Sequence, residues 1–129
     1  MSNADRMLEP LQGLRILILE DDPLICLDLE TSLSELGARV RAVSSAAAAL
    51  QELATSDLDF AVLDFELGAE TSDPVAIAAE DRRVPFVFLS GYSKHDERFS
   101  RWPNIDVLTK PIFAETIAQH IRGRLGHQP

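Results

Sequence analysis

Three acids, a hydroxyl and an amine stand at or just beyond the ends of short apolar runs. Glu20 and Asp21 follow residues 16–19, Asp64 follows residues 60–63, Ser90 follows residues 86–89, and Lys110 comes just after Val107 and Leu108. Two carboxylates near 4 Å repel by about 4 kcal/mol at an effective dielectric of 20, so acids drawn together call for a cation. Magnesium prefers oxygen ligands and commonly takes one or two carboxylates plus phosphate oxygens. A carboxylate beside it can attack phosphorus, and Asp64 is the candidate nucleophile. Transfer then depends on neutralising the three equatorial oxygens, with a hydroxyl (Ser90) and an ammonium (Lys110) available beside the metal.

For that chemistry the residues must meet, and the apolar runs suggest how. Residues 15–20, Arg39–Val43, 58–63, 86–89 and 104–108 read as five strands, the first a near-continuous aliphatic block of the kind buried on both faces. Asp22-Pro23 opens a helix carrying Ile25, Leu29, Leu33 and Leu36, stopped by Gly37. Ser44 or Ser45 caps a second helix with a thin alanine face. Residues 74–81 form a short helix at best, and residues 91–103 an irregular or one-turn connection. Phe113, Ile117, Ile121 and Leu125 mark a last helix. Strands joined by crossovers predict a five-stranded parallel sheet in a doubly wound α/β fold. Its ligand crevice lies beyond the carboxyl ends of the strands, where the five residues converge.

Composition narrows the functional classes. A chain of 129 residues with 46% hydrophobic content is one domain with one core. A formal charge of −9 disfavours phosphate backbones as ligands, so direct nucleic-acid binding is not expected. Cys26 is alone, fits a small core side chain, and excludes an intramolecular disulfide. No apolar run reaches the roughly 20 residues of a membrane span, and a cytoplasmic location is expected. His95, His120 and His127 show no ligand spacing, and Arg122 and Arg124 read as last-turn cations.

Four segments in register, Ile-Leu-Ile-Leu-Glu20-Asp21-Asp22-Pro23, Phe-Ala-Val-Leu-Asp64, Phe-Leu-Ser90-Gly91 and Leu-Thr-Lys110-Pro111, resemble the receiver domain of two-component response regulators. The resemblance implies a flavodoxin-like receiver fold with shortened third and fourth helices. It implies Mg2+ held by Glu20, Asp21, Asp64 and the backbone carbonyl of Glu66, and a phosphoryl group taken by Asp64 from a histidine kinase or phosphotransfer protein. Ser90 and Lys110 would contact the phosphoryl oxygens, and Lys110-Pro111 would be a cis peptide. The Glu66 side chain is expected at a solvated rim, tuning water access. On this reading residues 1–13 are a disordered leader or expression residue, residues 14–127 are the receiver, and no output domain follows. The protein is not an enzyme beyond its own phosphorylation and dephosphorylation.

Two departures shape the expected output. Val107 stands where many receivers carry a switching aromatic, and only 26 positions separate Asp64 from Ser90. Together with Pro85-Phe86-Val87-Phe88-Leu89-Ser90-Gly91-Tyr92 these features resemble single-domain receivers known for a Phe-Ala-Thr-Gly-Tyr-type motif. Ser90 and Tyr92 are then the switch candidates, with Tyr92 and Trp102 otherwise half-buried loop anchors. Output is expected through a downstream protein partner or as a phosphate sink, with a possible homodimer through the fourth helix region, fifth strand and last helix. Two alternatives stand beside this: a receiver-like binding module that is never phosphorylated, and a small phosphatase using an aspartyl-phosphate intermediate. The second lacks the acid–base aspartate two residues beyond Asp64, where Glu66 stands.

Overall fold

The computed structural model describes residues 10–125. The main sheet contains β1 (Arg15–Leu19), β2 (Arg39–Val43), β3 (Phe60–Asp64), β6 (Phe86–Ser90) and β7 (Val107–Thr109), all parallel, in the order β2-β1-β3-β6-β7. Among the described residues four α-helices accompany it: α1 (Pro23–Glu35), α2 (Ala46–Thr55), α3 (Asp73–Asp81) and α4 (Ala114–Arg124). Strand alternation divides the interior in two. Ile16 and Ile18 of β1 face Leu29 and Leu33 of α1 and Ile117 and Ile121 of α4, while Leu17 and Leu19 face Leu53 of α2 and Val75 of α3.

The first half of the chain follows local rules closely. Asp22 caps α1, its Oδ1 accepting from the amides of Leu24 and Ile25 at 2.9 and 3.2 Å, and Ser45 rather than Ser44 caps α2 through the Ala48 amide. Gly37 ends α1 at φ +100°, where a Cβ would lie 2.9 Å from Gln12 Cα, so both conformation and space require glycine. That close approach belongs to a segment expected to be loose. Leu11 is fully buried, its amide bonds Leu36 O at 2.8 Å, and Gly13 N bonds Gly37 O at 2.9 Å. Residues 11–13 are therefore held against the core rather than loose, with Leu11 in one cluster with Leu29 and Leu33 of α1. Residues 1–9 and 126–129 lie outside the described residues.

The second half departs from regular alternation. Between β3 and α3 runs a hairpin, β4 (Glu66–Leu67) with β5 (Glu70–Thr71), turning at Gly68 with φ +64°. The connection from β6 to β7 contains only a 3-10 turn at Glu97–Phe99 where the sheet's other crossovers carry helices. Aromatic rings fill the space: Phe65 meets Phe88 edge-on at 5.0 Å, and Phe86 meets Trp102 at 5.6 Å and 83°. Trp102 is buried rather than half-buried. Its Nε1 donates to Asp73 Oδ1 at 2.7 Å, and Asp73 Oδ2 accepts from Thr71 Oγ1 at 2.8 Å. One carboxylate thus ties the hairpin, the start of α3 and the loop before β7.

Smaller differences have similar causes. The last strand begins at Val107, not residue 104, because Ile105 is turned back by its amide bond to Trp102 O. Cys26 is only partly buried, since α1 directs Leu29 and Leu33 at the sheet and leaves its outer face to solvent. Phe113 precedes α4 and is 79% exposed instead of joining the core face.

Candidate functional site

Strand pairing brings the separated residues to one edge of the sheet. Leu19 aligns with Leu63, Asp64 with Leu89, and Ser90 with Thr109, so Glu20, Asp64, Ser90 and Lys110 emerge side by side at the carboxyl ends. Backbone bonds set the heights: Phe65 N to Leu89 O and Lys110 N to Ser90 O are both 2.8 Å. Lys110-Pro111 is cis, as the resemblance implied.

Lys110 Nζ lies 2.8 Å from Asp64 Oδ1 and 3.1 Å from Glu20 Oε1. Both acids are buried, whereas Asp21 is exposed at the mouth. Glu20, Asp21 and Asp64 can each present an oxygen with all three inside 4.8 Å. Glu20 Oε2 is held by the Asp22 amide at 3.1 Å. Glu20 Oε1 and Asp64 Oδ1 have the ammonium beside them but no well-aligned hydrogen bond.

The electrostatics follow from that crowding. Burial pushes the Asp64 carboxyl up to about 8; the Lys110 ammonium opposes the rise and the Glu20 carboxylate adds to it. Burial works against the Lys110 ammonium, yet Asp64 and Glu20 outweigh it and raise its pKa above the ordinary value. One ammonium does not neutralise three acids. Hard oxygen donors with one open side fit magnesium, and the incompletely bonded oxygens of Glu20 and Asp64 are where further positive charge is accommodated.

On the other side of Asp64 the geometry differs from expectation. The Glu66 side chain is not a free rim carboxylate. Ser90 Oγ donates to Glu66 Oε2 at 2.6 Å, Gly91 N donates to Glu66 Oε1 at 3.0 Å, and Tyr92 N donates to Ser90 Oγ at 3.0 Å. Tyr92 is 44% exposed, with the Arg98 guanidinium 3.6 Å over its ring, and Arg98 also pairs with Asp96 at 3.0 Å. Val107 is half-buried against the aromatic core. His120 faces Asp106 at 3.2 Å on the flank of α4, away from the acids.

Sequence reasoning missed the Glu66 bridge, the Arg98–Tyr92 stack and the Asp73–Trp102 bond. The hairpin that aims Glu66 had one signal, Gly68 between two short flanks, but two-residue strands fall below any hydrophobic period.

The comparisons agree with this architecture. The family model of the response regulator receiver domain matches residues 16–122, and the chain belongs to that family. It shares 26% identity with a response regulator receiver protein from Sinorhizobium medicae WSM419, covering 90% of this chain and 97% of that one, with a TM-score of 0.78. SdrG from Pseudomonas melonis Fr1, in its BeF3-activated conformation, is 39% identical over 86% of this chain and 95% of its own, with a TM-score of 0.72. The sensor histidine kinase GacS of Pseudomonas protegens is 28% identical over 114 residues, which are 81% of this chain and 12% of GacS. The fold is the five-stranded receiver fold of two-component phosphorelay, and among the described residues no helix is long and apolar enough to cross a membrane.

Proposed function

We propose that the chain is a response-regulator receiver whose Asp64 accepts a phosphoryl group from a phosphohistidine on a kinase or phosphotransfer protein. The observation that carries this reading is the 2.8 Å contact of Asp64 with Lys110 inside the acid cluster. In the transfer the P–N bond to imidazole breaks, a P–O bond to the Asp64 carboxylate forms, and the imidazole leaves as the neutral ring, its freed nitrogen taking a proton from solvent. Glu20, Asp21, Asp64 and the backbone carbonyl of Glu66 would hold Mg2+, which when bound supplies charge neutralisation at the phosphoryl oxygens. Lys110 keeps its charge beside the incoming group, and Ser90 offers a hydroxyl to another oxygen.

A partner has a surface to meet. Leu24 and Leu27 on the outer face of α1 are 79% and 59% exposed. A groove of about 510 Å3, lined by Leu24, Ile25, Leu29, Pro111 and Ile112, runs to Lys110. An apolar face beside the donor histidine would suit this groove and bring the imidazole to the acids. Output follows by phosphorylation-dependent protein contact or by draining phosphate from the donor.

The direct test is incubation with Mg2+ and acetyl phosphate followed by intact mass. One added phosphoryl group, dependent on Mg2+ and missing from Asp64→Asn, is the expected result. An unchanged mass under conditions that label a control receiver favours the unphosphorylated binding module, and continuous turnover of a phosphate ester favours the phosphatase.

A further inference from the structure

Ser90 is fully buried, so its hydroxyl must find partners within the protein. Its oxygen accepts from Tyr92 N, and its single proton goes to Glu66 Oε2 at 2.6 Å, a length typical of a hydroxyl bonded to an ionised carboxylate. The same carboxylate holds Gly91 N with its other oxygen. A hydroxyl carries one hydrogen. It cannot donate to Glu66 and to a phosphoryl oxygen on Asp64 at once.

We infer that Glu66 is a positioning residue: its carboxylate latches the Ser90 hydroxyl away from Asp64, and a phosphoryl group must outcompete it. The inference rests on Asp64 being the phosphoacceptor. Phosphorylation transfers the Ser90 hydrogen bond from Glu66 to the phosphoryl group and leaves Glu66 bound only to Gly91 N. The released carboxylate has a cation within its field, Arg98, which lies over Tyr92. The hairpin bearing Glu66 and the loop bearing Tyr92 are therefore joined by two bonds in the resting protein and by the Gly91 bond alone in the phosphorylated one. This route to the surface does not need an aromatic at position 107.

The substitution that isolates the latch is Glu66→Gln. An amide keeps the shape, but with its oxygen on Gly91 N it presents an NH2 to Ser90, which then accepts and has its proton free. Beryllofluoride affinity in the presence of Mg2+ is measured on the full chain for the unsubstituted protein, Glu66→Gln, Ser90→Ala and the double variant. Shifts of the Gly91 amide report binding. Glu66→Gln should bind about tenfold tighter when Ser90 is present and gain nothing when it is absent, the coupling expected of a direct hydrogen bond to a charged group. Glu66→Ala, which removes the acceptor outright, should show the same dependence on Ser90.

No tightening in either variant overturns the latch. Equal tightening with and without Ser90 also overturns it, and makes Glu66 merely a repelling charge. If the unsubstituted protein binds no beryllofluoride, the phosphoacceptor reading falls and the latch with it; if it binds and the cycle is additive, only the latch falls.

Discussion

The two flanks of Asp64 are built on opposite terms. On the β1 side, Glu20 and Asp64 are buried with a single ammonium between them and Asp21 close by, leaving oxygens incompletely bonded. On the β6 side, Ser90 Oγ, both Glu66 oxygens and the amides of Gly91 and Tyr92 are all engaged. A buried group that lacks partners invites a ligand, whereas one already satisfied resists it. Charge therefore has a ready place to bind on one flank, and on the other flank binding requires an existing bond to be given up. A site of this kind couples occupancy to rearrangement because its two halves cannot both be relaxed by the same state.

Substitutions can break or sharpen that contrast. The largest effect belongs to Asp64→Asn, which removes the proposed phosphoacceptor and one of the three clustered acids; phosphoryl incorporation should vanish, as read by mass. Lys110→Ala comes next. Stripping the ammonium from two buried carboxylates should cost about 3 kcal/mol in urea unfolding, and Mg2+ should restore more stability to this variant than to the unsubstituted protein. An equal Mg2+ effect on both would mean that the acid flank is not short of positive charge.

Trp102→Phe tests whether the bonded flank extends into its support. Loss of the indole bond to Asp73 should lower stability by about 1 kcal/mol and speed amide exchange in the hairpin, leaving the acid flank unaffected. The smallest effect lies at the far end of the sheet, as a control. The Arg15 guanidinium holds the Asp59 carboxyl below its ordinary range. Its contribution is present above the unfolded value and lost as pH falls through the lower folded value. Asp59→Asn should thus lie slightly below the unsubstituted protein in stability at neutral pH, with the gap closing in acid, as followed by thermal unfolding across pH.

Much of this contrast could be read from the chain before its coordinates. Each acid or amine of the first flank ends an apolar block, and a buried parallel strand leaves its last residue at the crevice whatever the details of pairing. The bonded flank was harder. Ser90 was visible for the same reason as Asp64, but the partner of its hydroxyl depends on a hairpin of two-residue strands, and hydrogen-bond direction has no period. Leu11 was misjudged because Pro10 and Gly13 punctuate the segment and a lone leucine there has no pattern, although its burial is decided by the end of α1. Trp102 looked like a loop anchor since neighbouring charges mask it, while the tertiary space left where no α-helix joins β6 to β7 draws it inside.

Leu11 also bears on how the protein is handled. A fragment trimmed to start at Leu14 would open a leucine-sized void at the foot of α1 and strand the carbonyls of Leu36 and Gly37 without their donors. Tags, fusion joints and isotope-labelled segments are best attached upstream of Pro10, so that this small plug stays seated at the end of the sheet opposite the acids.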